Sequence, residues 1–261
     1  MEEWFHAPEH PLGKDPALWT GLEATLPEAL RKTIEFLDHL RVRATFFILG
    51  WAAERHPDIV RNIHAAGHEV ACHGWSHQRV DRMCRDCFSE DLRRSKALLE
   101  DLSGQKILGF RAPRWSFGAE AWPYEVLLKE GFQYSSSRLP IPGLGMSVHE
   151  SKTLDAIKEF PALTGTFAGV PVPAGGTVAL RFMPEAWLRK TQDRCASSGR
   201  PAVYWFHPWE LAADGPRLDG GRFFKWARYW RLEALPGRLA ALIPAGDRRM
   251  ARLVEAPSAE I

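Results

Sequence analysis

Gly67-His68-Glu69-Val70-Ala71-Cys72-His73-Gly74-Trp75-Ser76-His77 carries an apolar-leaning strand into a polar turn. Its two closing histidines, His73 and His77, stand at i and i+4, a spacing that lets two imidazoles converge on one metal ion. The chain holds 10 histidines in 261 residues, so the pair by itself is equally at home in a core or on a surface. Two further segments point the same way: Phe110-Arg111-Ala112-Pro113-Arg114-Trp115 and Tyr204-Trp205-Phe206-His207-Pro208-Trp209-Glu210 each follow a predicted strand. Polar clusters at several strand ends are how an α/β barrel assembles an active site.

Around these segments, strands and helices alternate. Thr25-Leu26-Pro27-Glu28 reads as a capping box, and Leu26, Leu30, Ile34, Leu37 and Leu40 follow at helical spacing. Residues 42–49 are β-branched and aromatic and predict a buried strand. A helix over 57–66 stops at Gly67. A second helix covers 89–102, a strand 106–110, a helix 119–129 and a short strand 132–134. Residues 139–178 fill with Pro and Gly (Pro171, Pro173, Gly175, Gly176) and predict loops and short strands over one mouth of the barrel. Helix returns over 184–197, a strand over 202–206 delivers His207, and the chain from Phe223 onward reads as helical. The alternation argues for a parallel sheet. With no internal repeat or low-complexity tract, residues 1–261 are expected to form a single domain.

An apolar fraction of 45% is enough for a sizeable core. The 34 basic and 32 acidic residues leave a net charge of +2, which points to neither nucleic acid nor an anionic membrane. No stretch approaches the roughly 18 apolar residues of a membrane span, and the N-terminus lacks the basic and apolar regions of a signal peptide. The expectation is a soluble, cytoplasmic protein whose four cysteines, Cys72, Cys84, Cys87 and Cys195, are reduced thiols. Cys84-Arg85-Asp86-Cys87 lacks the second pair a zinc knuckle needs. Several of the 11 tryptophans, Trp4, Trp75, Trp115, Trp205 and Trp209 among them, sit beside the polar clusters. Their faces suit sugar rings as well as they suit core packing.

The order His73-x-x-x-His77, then Arg111-x-Pro113, then a strand ending in His207 resembles the polysaccharide deacetylases of the NodB-homology class, carbohydrate esterase family 4. More narrowly, Glu2-Glu3-Trp4-Phe5-His6 and His207-Pro208-Trp209-Glu210 look like the branch associated with exosortase and PEP-CTERM exopolysaccharide loci. The resemblance spans nearly the whole chain. It implies a distorted (β/α) barrel and metal-dependent removal of N-acetyl groups from a polysaccharide or oligosaccharide. By that resemblance Glu2, His73 and His77 are the metal ligands, holding zinc or, alternatively, Co, Ni or Mn. Arg111 would pair with a catalytic carboxylate, or serve as an ordinary salt-bridged arginine. The Arg114 backbone N–H would face the oxyanion, and His207 would protonate the leaving amine. Glu210 would orient a neighbour, and Trp115 and Trp209 would wall the sugar pocket. Cys72 reads as a small core residue.

Two departures from the family pattern stand out. The family's catalytic base is an Asp two positions before the metal carboxylate, and the first barrel strand precedes it; here Glu2 has only Met1 before it. A start codon placed too late, a truncated product, and a metal- or glycan-binding relative without the reaction each account for this, the first being favoured because the later motifs are intact. Glu3 is expected to point away from Glu2. In the second departure, an Asp that tunes the acid histidine is replaced by Ser135-Ser136-Ser137.

Overall fold

A computed structural model describes residues 1–7, 10–141, 156–243 and 251–256. The first long helix, α1 (Leu26–Leu40), buries Leu26, Leu30, Leu37 and Leu40, as the spacing predicts. Its N-terminus corrects the capping-box expectation. Thr25 makes no side-chain cap, and Glu28 turns outward to Arg31. The cap comes instead from Glu3, whose carboxylate accepts from the backbone N–H groups of Thr25 (3.1 Å) and Leu26 (3.0 Å). A carboxylate there meets the orphan donors and positive end of the helix.

Five strands, β1 (Thr45–Ile48), β2 (Glu69–Cys72), β3 (Gly109–Phe110), β4 (Tyr134–Ser135) and β5 (Lys158–Glu159), lie parallel and in chain order. Helices α2 (Gly50–Arg55), α3 (Pro57–Ala65), α4 (Arg85–Ser103) and α5 (Trp122–Lys129) make the crossovers. Beyond β5 the parallel pairing continues as bridges from Ala162 to Val203 and from Gly176 to Trp205. The winding is that of a (β/α) barrel. The register aligns Ile48 with Cys72, Cys72 with Phe110, Phe110 with Ser135 and Ser135 with Glu159. All five strands therefore end on one rim, and the residues that follow, His73 and Arg111 included, emerge side by side.

Where the sequence predicts one strand over 202–206, the structure has only those two bridges. Val203 and Trp205 pair with different neighbours, so no continuous ladder forms. In the Pro- and Gly-rich region the expected short strands are β6 (Gly165–Phe167) and β7 (Val170–Val172), which form an antiparallel hairpin, and a helix not expected there, α6 (Thr177–Phe182), follows. Residues 142–155 of the stretch predicted as loops and short strands lie outside the described residues. The later helices are α7 (Glu185–Ser197), α8 (Pro208–Leu211), α9 (Arg222–Tyr229) and α10 (Leu235–Leu242). Among the described residues no helix is long and apolar enough to cross a membrane.

One expectation about cysteine is overturned. Cys84 and Cys87 form a disulfide, whereas Cys72 and Cys195 are free thiols. Cys84 is the N-cap of α4 and Cys87 lies one turn on, and their Cα atoms stand 5.1 Å apart, inside disulfide range.

Gly109 shows how tightly the sheet is packed beneath the rim: a Cβ there would lie 1.9 Å from Cζ of Tyr134. Gly109→Ala is therefore expected to cost on the order of 1–3 kcal/mol by overpacking. Urea unfolding checks this, and an unchanged midpoint would contradict the Tyr134 placement.

Candidate active site

The chain reaches the rim from three directions. His73 leaves β2, and its ring is fixed by a 2.6 Å bond from Nδ1 to the carbonyl oxygen of Arg111, on the neighbouring strand end. A carbonyl only accepts, so Nδ1 carries the proton and Nε2 presents a lone pair. Burial, the largest influence on this imidazole, lowers its pKa to about 4 and keeps it neutral. His77 returns to the same spot through a left-handed backbone (φ 58°). The turn between the two is held by Asp91 of α4, whose carboxylate oxygens accept from Trp75 N–H at 3.0 and 3.1 Å. Gly74 within it has φ +78° and leaves only 2.9 Å between a Cβ and Asp91, so a side chain is excluded there twice over.

Glu2 arrives on the N-terminal segment and is anchored by its neighbour. Glu3 caps α1 and, as the sequence suggests, points away from Glu2, although this segment is not a strand. Glu2 Oε1 sits 3.0 Å from His77 Nε2, 3.2 Å from His73 Nε2 and 3.6 Å from His207 Nε2. Burial alone would raise this carboxyl, but the surrounding imidazoles hold it well below the usual range. The approach to His73 sets two acceptors face to face, an anionic oxygen against an imidazole lone pair. That contact is repulsive unless a cation lies between them. The ligand atoms of Glu2, His73 and His77 all fall within 4.8 Å of one another. Separations of 3.0 and 3.2 Å approximate the edge of a tetrahedron with metal–ligand bonds of ~2.0–2.1 Å. The donor set thus fits a divalent ion such as zinc, with the second nitrogen of His73 held as such ligands require.

His207 faces this group from the second half of the chain. Its Nδ1 and its backbone N–H both meet Glu210 Oε2, at 3.0 and 2.7 Å, in a capping box at the start of α8. Thr177 donates to the other Glu210 oxygen at 2.6 Å. Nε2 of His207 is thereby turned toward Glu2. Burial opposes a charge on His207, yet the Glu2 and Glu210 carboxylates outweigh it and raise its pKa to about 10.

The other predicted residues gather around the same cavity of about 850 Å³, which Arg111, Arg114, Trp115 and Trp209 line with Glu2, His73, His77 and His207. Arg111 departs from expectation. Among the described residues it makes no ion pair; its guanidinium donates to the carbonyl and hydroxyl of Ser136 (3.0 and 2.8 Å) and stacks over Phe47 and Trp115. Arg114 and Trp115 both hold left-handed backbone (φ 58° and 56°), a cost of order 1–3 kcal/mol each that recurs at functional sites. Trp115 packs edge-on against Trp205, and Trp209 stacks on His207. The sequence reading missed His6, whose buried ring lies parallel to His77 at 6.3 Å. It also missed the tethering role of Glu3. Glu3→Ala is expected to weaken divalent-ion binding about tenfold, because Glu2 loses its anchor, and to cost ~1 kcal/mol of stability as a lost cap. Metal titration and urea unfolding of one sample check both, and a change in stability alone would refute the anchoring role.

Comparison with known proteins agrees with this geometry. Residues 16–134 match the family model "Polysaccharide deacetylase", and residues 134–255 match DUF3473, a domain of unknown function. The join falls within β4, so both regions contribute to one sheet. Glu2 precedes the first match and His207 lies in the second. A peptidoglycan deacetylase of Helicobacter pylori is 37% identical over 94 residues, 36% of this chain and 31% of that protein. A peptidoglycan-N-acetylglucosamine deacetylase of Bacillus cereus is 28% identical over 113 residues, 43% of this chain and 41% of that protein. The chain thus spans less than half the length of these relatives. A solved structure from Mycobacterium smegmatis, described as a candidate polysaccharide deacetylase, aligns with a TM-score of 0.60 at 22% identity, covering 96% of this chain and 84% of that one. Residues 16–134 are thus similar to the polysaccharide deacetylase family, and the fold is the NodB-type barrel, whose sheet continues through the DUF3473 region.

Proposed function

We propose that this protein is a metal-dependent hydrolase that removes N-acetyl groups from N-acetylhexosamine units of a polysaccharide, acting as a single unit over 1–261. The observation that carries the reading is the 3.2 Å approach of the Glu2 carboxylate to the lone pair of His73, beside His77, which calls for a cation. Amide hydrolysis breaks the acyl C–N bond, adds water's oxygen to the acyl carbon and delivers a proton to the departing nitrogen. Glu2, His73 and His77 would hold a divalent ion, which would supply Lewis-acid polarisation of the acyl oxygen and lower the pKa of a water. His207, its ring aimed by Glu210, is placed to give the nitrogen its proton. Trp115 and Trp209 offer apolar faces to a sugar ring. The related peptidoglycan deacetylases support an N-acetylated glycan as the substrate class.

A second reading, a metal- and glycan-binding relative without the reaction, is favoured by one observation: Arg111 has no carboxylate partner among the described residues. Acetate release from N-acetylglucosamine oligomers by the zinc-loaded chain separates the two. Release abolished by His73→Ala establishes the hydrolase; glycan binding without release, whatever the metal, establishes the binder.

A further inference from the structure

His6 is a buried polar group in the site that neither the metal set nor the acid uses. Its Nδ1 accepts the backbone N–H of Glu3 at 3.2 Å, while the backbone N–H of His6 donates to the Glu3 carbonyl at 3.1 Å. A neutral imidazole that accepts at Nδ1 carries its proton at Nε2. That Nε2 is buried and has no hydrogen-bond partner among the described residues, and the residue as a whole is 2% exposed. Burial, the largest influence, lowers its pKa to about 3, so the ring stays neutral.

Among the described residues its neighbours offer the N–H no hydrogen-bond acceptor. Trp19 lies 4.1 Å away, ring to ring, and commits its own N–H to the Leu12 carbonyl; Trp51 stands edge-on at 5.4 Å. His6 also lines the cavity that holds Glu2, His73, His77 and His207. His68 supplies a contrast. Its Nδ1 is likewise bound, by Ala44 N–H, and its Nε2 is likewise unpartnered, but it does not line that cavity. Buried donors are rarely left unmade, because each costs about 1–3 kcal/mol. A fixed, neutral donor beside a hydrolytic centre suits a partner oxygen that arrives with the ligand.

We propose that the Nε2–H of His6 is a hydrogen-bond donor to the acyl oxygen of a molecule bound in this cavity, whether substrate amide or product carboxylate. The inference rests on the deacetylase reading for the identity of that acyl group. The rigid clamp of the Glu3 backbone on one side and Trp19 on the other sets the donor's direction before the ligand enters.

The test uses the zinc-loaded full chain with sodium acetate and acetamide as probes for the two sources. Ring-nitrogen NMR is expected to show His6 as the Nε2–H tautomer and its resonance to move on titration. His6→Phe keeps the packed ring without a donor and should weaken binding of either probe about tenfold, a hydrogen bond's worth, with zinc content unchanged. His6→Gln retains an N–H and should stay within roughly threefold of wild type. With N-acetylglucosamine oligomers, His6→Phe should lower kcat more than it raises KM. Three results would overturn the proposal: an Nδ1–H tautomer, no binding of either probe to the wild type, or equal probe affinity in His6→Phe. Probe binding that depends on His6 in a wild type that releases no acetate would instead refute the deacetylase reading and leave the donor assignment standing.

Discussion

Glu2→Gln is expected to abolish stoichiometric zinc binding at micromolar metal. The substitution preserves shape and removes only the charge, so the result isolates the anionic ligand from packing. Groups that merely support a metal ligand typically change affinity by 10–100-fold, so loss of a direct ligand should weaken it by more than ~100-fold. The physical reason is in the contacts: one Glu2 oxygen lies within 3.6 Å of three imidazole nitrogens, and of the three candidate ligands Glu2, His73 and His77 it alone carries negative charge. A neutral amide leaves two histidines, which are insufficient alone. A competition titration against a chelator of known affinity measures the change. If Glu2→Gln binds zinc as tightly as wild type, the assignment of this carboxylate is wrong.

His207→Ala should do the opposite, retaining zinc while acetate release falls by roughly 10²–10⁴-fold, the usual worth of a positioned general acid. His207 also carries a pH signature in the metal-free chain. Its folded-state pKa is raised to about 10 from 6.5 by Glu2 and Glu210, against the opposing effect of burial. A histidine with a raised folded pKa contributes stability that is complete below about 6.5 and is lost as pH climbs toward 10. The urea midpoint of the EDTA-treated protein should therefore fall between pH 7 and pH 10, and His207→Gln should flatten that slope. Zinc places positive charge beside Glu2 and lowers the His207 pKa, so the loaded protein should show a shallower dependence. An identical slope in wild type and His207→Gln would rule out the Glu2–His207–Glu210 coupling as its source.

Glu210 and Thr177 show why part of this site escaped sequence reading. Glu210 follows His207 by three residues, and His-Pro-Trp-Glu is legible as a local capping pattern. Thr177, which fixes the other carboxylate oxygen, lies 33 residues away in a region that reads as loops and short strands. Asp91 likewise holds the turn between the two histidines from 16 residues off, as one polar residue among many on an amphipathic helix. His6 could have been noticed as a histidine four residues after Glu2, but its unpartnered nitrogen exists only once Trp19 and Trp51 close over it. The same limit applies to Arg111. Its motif announced an arginine at a strand end paired with a carboxylate, but only the fold shows it spanning to Ser136 instead.

Hydrophobic periodicity, Gly stops and the spacing of His73, His77, Arg111 and His207 by themselves determined the alternating architecture, the parallel sheet and the residues that meet at its rim. These features are local, because each depends on backbone geometry repeating over a few residues. Tertiary structure alone decided the cap that Glu3 places on α1, the opposed lone pairs of Glu2 and His73, the carboxylate that aims His207, and the solitary donor of His6. Each of these contacts joins groups from separate segments, and their energies turn on ångström distances and on burial, which no linear pattern encodes. The Cys84–Cys87 bond shows the boundary between the two: the spacing was plain in the chain, but the helical turn that brings the thiols together was not.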